Sequence, residues 1–274
     1  MTINCKGTLI DLASPKVMGI LNTTPDSFYS ESRKTSLKTL LTTAEKMLEK
    51  GATFLDIGGY SSRPGADDFS ETEEINRVVP AIDAILKNFP ESIISIDTFR
   101  SNVATEALKT GAAIINDISA GNLDDDMLKV VAEFQVPYIM MHMRGNPQTM
   151  KDLNEYKDLA QEIIFYFSEK IRAARDLGIH DIIADPGFGF SKNIAQNFEL
   201  LSNLKKFESL NVPILAGLSR KSTIYKTLDC SPQEALNGTT VLNTMAIANG
   251  ANILRVHDVR EAMETVKLMS QLTF

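Results

Sequence analysis

The sequence predicts an α/β fold, a (β/α)8 TIM barrel with a short N-terminal β-hairpin. Eight short runs, most nearly continuous in Ile, Leu, Val, Met and Ala, are separated by longer amphipathic stretches, and polar or charged residues stand at or just past the end of every run. Runs of this kind fit strands buried on both faces, as in a parallel sheet covered by helices. Neither a linker nor a low-complexity segment breaks the alternation, which favours one closed barrel over residues 1–274 against a doubly wound open sheet. With 274 residues, 43% of them hydrophobic, the chain is long enough for such a barrel.

The first dozen or so residues alternate polar and apolar around Gly7 and read as a hairpin that plugs the bottom of the barrel. The strands are expected at 17–22, 53–59, 92–98, 113–119, 137–143, 181–186, 213–219 and 251–257. The helix expected at 36–50 spaces Leu37, Leu40, Leu41, Ala44, Met47 and Leu48 by threes and fours, an amphipathic stripe. Gly51 follows at a C-cap position, and Gly111, Gly178 and Gly250 end later helices in the same way. Ser231-Pro232 reads as an N-cap with proline at the first helical position. A last helix at 260–272 closes the series.

The formal net charge of −7, without a cluster of Lys and Arg, gives no field to hold nucleic acid. An anionic substrate must therefore be held by a local site. Cys5 and Cys230 lie far apart without ligand-spaced neighbours, so neither a disulfide framework nor a structural zinc is expected. The N-terminus has no basic start and no apolar core, and no apolar run approaches the roughly 18 residues of a membrane span. These features point to a cytoplasmic protein that is not bound to a membrane.

The active site of such a barrel lies at the carboxyl ends of the strands. There the sequence places Asn22, Gly58-Gly59, Asp97-Thr98, Asn116-Asp117, His142, Asp185, Ser219-Arg220-Lys221 and Arg255-Val256-His257. Singly, each has an ordinary use: Asp as a helix N-cap, His142 as a core histidine, Lys221 as a solvated loop residue. Their convergence on one mouth is the argument. Arg255 and His257 are two apart on the last strand and face the same way, and closure sets them beside Asn22. Guanidinium, imidazole and amide make a plausible diphosphate site, with Asn22 as ligand to an accompanying Mg2+ that keeps most of its waters. Asp97, Asn116, Asp185 and Lys221 match the edge of a fused heterocycle carrying an amino group, a ring N–H and a carbonyl. A 2-amino-4-oxopteridine has that edge, and so does guanine.

Asn22-Thr23-Thr24-Pro25-Asp26-Ser27-Phe28, Ser62-Arg63-Pro64-Gly65, Asp97-Thr98, Asn116-Asp117, Met141-His142-Met143, Asp185-Pro186-Gly187-Phe188-Gly189-Phe190, Gly217-Leu218-Ser219-Arg220-Lys221-Ser222 and Arg255-Val256-His257-Asp258-Val259 together resemble the dihydropteroate synthase family, in order and across nearly the whole chain. The resemblance implies condensation of 6-hydroxymethyl-7,8-dihydropterin diphosphate with p-aminobenzoate. It implies that Asp97, Asn116, Asp185, Lys221, Met140 and Gly217 hold the pterin, and that Asn22, Ser62, Arg63, Arg255 and His257 bind diphosphate, with magnesium on Asn22. Phe28, Ser62, Pro64, Phe190, Ser219 and Lys221 would flank p-aminobenzoate. Asp97, Lys221, Arg255 and His257 are the expected catalytic groups, and a homodimer through the late helices is implied.

The chain departs from the family pattern at Tyr29–Ser32, Tyr60, Ser62 and Ser191, where the family commonly has a Gly-rich turn, Glu, Thr and Gly. A pterin-dependent methyltransferase, a pterin-binding protein without turnover and a Schiff-base aldolase on Lys221 are the competing readings. The first two share the pterin grip but have no need of the whole diphosphate set.

Overall fold

The computed structural model describes residues 1–23, 30–59 and 70–272. Strands β1 (Thr2–Cys5) and β2 (Thr8–Asp11) form an antiparallel hairpin. Its turn uses Lys6 and Gly7, both at positive φ. Then follow β3 (Lys16–Asn22), α1 (Ser30–Glu49), β4 (Phe54–Gly58), α2 (Glu71–Asn88), β5 (Ile93–Asp97), α3 (Ser101–Thr110), β6 (Ile114–Asp117), α4 (Met127–Phe134), β7 (Tyr138–Met141), α5 (Leu159–Asp176) and β8 (Ile182–Asp185). The chain continues through α6 (Ile194–Ser202), β9 (Leu215–Ala216), α7 (Ser222–Thr227), α8 (Leu236–Ala248), β10 (Ile253–Val256) and α9 (Val259–Met269).

The large sheet has eight strands in the order β8-β7-β6-β5-β4-β3-β10-β9, with every neighbouring pair parallel. A parallel bridge between Ala184 and Ile214, with Ala184 N–H donating to Pro213 O at 2.9 Å, closes the ring between β8 and β9. The expected barrel is therefore the observed one.

Alternation along the strands separates two cores. The inward residues Met18, Phe54, Ile114, Ile139, Ile183, Leu215 and Ile253 meet Ile3, Cys5 and Leu12 of the hairpin segment in one apolar cluster. The outward residues, among them Val17, Leu55, Ile94, Tyr138 and Leu254, pack on the helices through side chains such as Ile82, Ala107 and Phe167. The hairpin is fastened by Asn4 N–H to Asp181 Oδ2 at 2.9 Å and by Asn252 Nδ2 to Leu12 O at 3.2 Å. It seals the amino ends of the strands, as the sequence led us to expect. Burial pushes the Cys5 thiol up to about 12, with the charge of Asp181 adding to it, so this sulfur is an inert core group.

The hydrogen-bonded strands are shorter than the apolar runs, most clearly where 213–219 narrows to Leu215–Ala216. Apolar character reports burial, and it continues into the mouth after the ladder has ended. Ser231-Pro232 is a correction. It forms a turn, with Glu234 N–H on Ser231 O at 3.1 Å and Ala235 N–H on Pro232 O at 3.4 Å, and α8 starts only at Leu236. Ser-Pro favours turn initiation as much as helix initiation. The glycine C-caps hold. At Gly111, φ is +131°, which strains any side chain, and a Cβ would lie 2.3 Å from Leu86 Cδ1, so Leu86 would also have to move.

Candidate active site

Parallel register aligns Asn22, Gly58, Asp97 and Asn116 across β3, β4, β5 and β6 at the carboxyl end of the barrel. Gly58 leaves the room between them: a Cβ there would stand 3.6 Å from Asp97 Oδ2 and 3.7 Å from Asn22 Oδ1. Two residues earlier, alternation turns Asp56 inward, where it is completely buried. Arg255 reaches across from β10, donating from Nε to Asp56 Oδ2 at 2.6 Å and from Nη2 to Asp97 Oδ2 at 2.5 Å. Asn116 Nδ2 donates to the same Asp56 oxygen at 3.0 Å. Asp97, Arg255, Asp56 and Asn116 are thus one connected network.

Burial pushes the Asp97 carboxyl up to about 7 against the pull of Arg255, and the nearby charges of Asp56, Glu74 and Asp117 push the same way. Burial alone would weaken the charge on Arg255, but Asp56 and Asp97 hold its pKa above the ordinary value.

Asp185 and Lys221 form the opposite wall. A Cβ on Gly217 would lie 3.8 Å from Lys221 Nζ and 3.9 Å from Asp185 Oδ2, so the bare glycine backbone lines the point where they approach. Asp185 Oδ1 accepts from Gly187 N–H at 2.8 Å. Burial raises the Asp185 pKa, opposed by Lys221, while burial lowers Lys221 to about 8. Lys221 Nζ donates to Phe188 O and stands 4.9 Å from the centroid of the Phe190 ring.

The preceding residue, Arg220, is a clamp. It pairs bidentately with Asp258 at 2.8 and 2.9 Å and also donates to Pro232 O and Gln233 O. Those bonds secure a non-glycine residue at φ +53° and fix the loop that presents Ser219 and Lys221. Ser219 Oγ lies 3.0 Å from His257 Nδ1 and accepts from His257 N–H at 3.2 Å.

The structure therefore brings together Asn22, Asp97, Asn116, Asp185, Gly217, Ser219, Lys221, Arg255, His257 and Phe190 at one end of the barrel. Phe28, Ser62, Arg63 and Pro64 lie outside the described residues. Two placements differ from the expectation. Met140 faces outward, fully buried in the layer between sheet and helices, and Met141 instead joins Met143, Ile118 and Phe190 on the mouth side. A period of two assigns adjacent strand residues to opposite faces, so only one of the pair reaches the mouth. Arg255 belongs to the Asp97 network, so it bridges the two groups that the sequence analysis held apart.

His142 proves to be a core histidine. It is 3% exposed and bound to the buried Lys192. Asp117 is likewise structural, accepting from Tyr138 OH, the N–H and Oγ of Ser119, and Gly121 N–H. Asp56 escaped the sequence analysis, although an acid in the middle of the apolar run 53–59 was its signal.

The sequence profile described as "Pterin binding enzyme" matches residues 18–257. The dihydropteroate synthase of Escherichia coli (strain K12) is 42% identical over 271 residues, covering 98% of this chain and 95% of that protein. The fold superposes on the crystal structure of Yersinia pestis dihydropteroate synthase in a sulfonamide drug complex with a TM-score of 0.92 and 39% identity, covering 99% of this chain and 98% of the other. The Xanthomonas albilineans dihydropteroate synthase in complex with 7,8-dihydropteroate gives a TM-score of 0.88 at 34% identity, with 99% and 98% covered. On the barrel, the convergent polar mouth and these likenesses together, the chain belongs to the pterin-binding enzyme family, among the dihydropteroate synthases.

Proposed function

We propose that this chain joins p-aminobenzoate to the exocyclic methylene of 6-hydroxymethyl-7,8-dihydropterin diphosphate, giving 7,8-dihydropteroate and diphosphate. The observation that carries the reading is the convergence of Asp97, Asn116, Asp185 and Lys221 around Arg255. Carboxylates and an amide oxygen accept from the amino and ring N–H groups of a pterin, and the ammonium donates to its carbonyl.

The C–O bond to diphosphate breaks first, leaving positive charge delocalised over the ring. Asp97 offsets that charge from a fixed position. The amine nitrogen then forms the new C–N bond and gives up its proton to the released diphosphate or to water. His257 and Arg255 take the diphosphate side, and Phe190, Ser219 and Lys221 the aminobenzoate side.

Asn22 is exposed at the rim, and its neutral amide oxygen would be the protein ligand to a magnesium ion there. Bound magnesium supplies charge neutralisation of the leaving group. No residue need act as a covalent nucleophile.

Among the described residues no helix is long and apolar enough to cross a membrane, and a cytoplasmic location is part of this reading. Val241 and Met245 on α8 and Leu268 on α9 are exposed, and they support a homodimer through the late helices. Sedimentation across concentration tests that association.

Diphosphate release is measured from the pterin diphosphate with and without p-aminobenzoate and magnesium. Aminobenzoate-dependent release with formation of 7,8-dihydropteroate is the expected result. A methyltransferase or a binding protein without turnover gives no such product, and that result overturns the proposal.

A further inference from the structure

We propose that Asp56 is a positioning residue for the pterin site, setting the hydrogen-bond polarity of Asn116 and the aim of Arg255, and that with Ser95 it holds one buried water beneath that site. The inference rests on the reaction assigned above and deepens it.

Asp56 lies in the middle of β4, completely buried, with apolar neighbours before and after it. A carboxylate there is tolerated only when its oxygens are engaged. Oδ2 is engaged twice, by Arg255 Nε at 2.6 Å and Asn116 Nδ2 at 3.0 Å. A carboxylate only accepts, so the amide nitrogen of Asn116 must face Asp56. The Asn116 carbonyl oxygen is thereby left as the group offered to a ligand. Asn116 becomes an acceptor for a ring N–H or an amino group, and the flipped, donating orientation is shut off. The same oxygen, with Asp97, holds the guanidinium of Arg255 at two of its nitrogens.

The other oxygen supplies the second half of the argument. Asp56 Oδ1 is buried and has no hydrogen-bond partner among the described residues, and Ser95 Oγ is in the same condition. Asp56 and Ser95 are register partners on β4 and β5, with both side chains on the inward face. Neighbouring strands run about 4.8 Å apart, so the two groups lie within reach of a common partner without touching each other. Buried polar groups are almost always satisfied, and a water with at least two polar partners is the ordinary solution. One water donating to Asp56 Oδ1 and exchanging a hydrogen bond with Ser95 Oγ satisfies both. It would sit between the apolar plug made with the hairpin and the polar layer that meets the pterin.

Calorimetric titration with 6-hydroxymethyl-7,8-dihydropterin, paired with a crystal structure resolving ordered water, tests both parts. In Asp56→Ala the pterin dissociation constant rises about tenfold or more, while KM for p-aminobenzoate at saturating pterin diphosphate stays within about twofold. Asp56→Asn, which keeps one oxygen toward Arg255 and Asn116, recovers much of the affinity. An unchanged pterin affinity in folded Asp56→Ala, or an equal loss in Asp56→Asn, overturns the positioning role. The wild-type crystal structure reads the water directly and serves even if Asp56→Ala does not fold. Density within hydrogen-bond distance of both Asp56 Oδ1 and Ser95 Oγ, lost in Ser95→Ala, is expected, and its absence overturns the proposal. Wild-type protein that fails to bind the pterin at all would instead sink the assigned reaction, so the two failures are distinguishable.

Discussion

Lys192 Nζ lies 3.1 Å from His142 Nδ1, with both side chains buried. The ammonium group also donates to Gly187 O at 3.0 Å and Phe190 O at 2.9 Å, so it ties the segment after β8 to the end of β7. Burial, reinforced by the positive charges of Lys192 and Arg144, holds the imidazole down to about 2, so it serves as a neutral acceptor. Unfolded His142 takes up a proton below about 6.5, and the folded side chain does so only near 2. This residue therefore makes stability fall as pH drops through that window. Asp97, raised in the fold, acts with the opposite sign, so the comparison must be made against a variant. Denaturation midpoints of wild type and His142→Gln between pH 4 and 7 should diverge, with the variant losing less per pH unit. Parallel curves would refute the assignment.

Asp97 accepts from Arg255 and shares the rim with Asn22. Replacing it by Asn keeps the shape and removes the charge. Turnover should fall far more than pterin binding, because the charge is needed most when the ring becomes positive. Steady-state kinetics alongside a pterin titration checks this; equal losses in the two would remove Asp97 from the chemical step.

Arg220 supports Lys221 without facing the substrates. Arg220→Ala loses a bidentate pair and two bonds to carbonyl oxygens, and it leaves a left-handed residue without its clamp. A loss of about 1–3 kcal/mol in urea unfolding is expected, with a raised KM for the pterin diphosphate. A variant as stable as wild type would show that the clamp is redundant.

Ser191, where the resemblance led us to expect glycine, has a φ of +50°, a conformation that glycine adopts without strain. Serine is retained here through two bonds to one residue: Oγ accepts from Arg144 N–H at 2.9 Å and donates to Arg144 O at 3.0 Å. Ser191→Gly relieves the backbone and loses both bonds, whereas Ser191→Ala loses the bonds and keeps the strain. Thermal unfolding should rank wild type above Gly and Gly above Ala. Alanine above glycine would contradict the backbone argument.

Met140 and Met141 provide a paired test of strand direction. Met141→Ala should weaken pterin binding with a modest loss of stability. Met140→Ala should lower stability by about 2–5 kcal/mol, as a core truncation does, and leave pterin affinity nearly unchanged. Titration and chemical denaturation of the two variants decide between them.

These residues also show where sequence reasoning reached. The barrel was legible because each barrel strand is buried on both faces and writes that burial as an apolar run, as in 138–141 and 182–184. The site was legible wherever a charged or amide side chain interrupted the end of such a run, as at Asp97, Asn116, Asp185 and Arg255. Partners were not legible. Nothing along the chain says that Arg255 spends two nitrogens on Asp56 and Asp97, because those residues are brought together only when β3 closes against β10. Met140 was misplaced because two adjacent methionines carry no mark of which faces inward. Asp56 went unread because a single acid inside an apolar run was absorbed into the strand pattern around it.

The hairpin of β1 and β2 bears on how the chain reaches its fold. Asn4 is fastened 177 residues away at Asp181, and Leu12 is held 240 residues away at Asn252. Contacts of such long range form late, since loop closure must come before they contribute. Residues 1–12 are thus among the last to dock, and until then Phe54, Ile114, Ile139 and Ile253 face water at the open base of the barrel. Refolding should accordingly end in a slow phase that buries this surface. A chain lacking residues 1–12 would aggregate from an otherwise formed barrel rather than fail to make its strands.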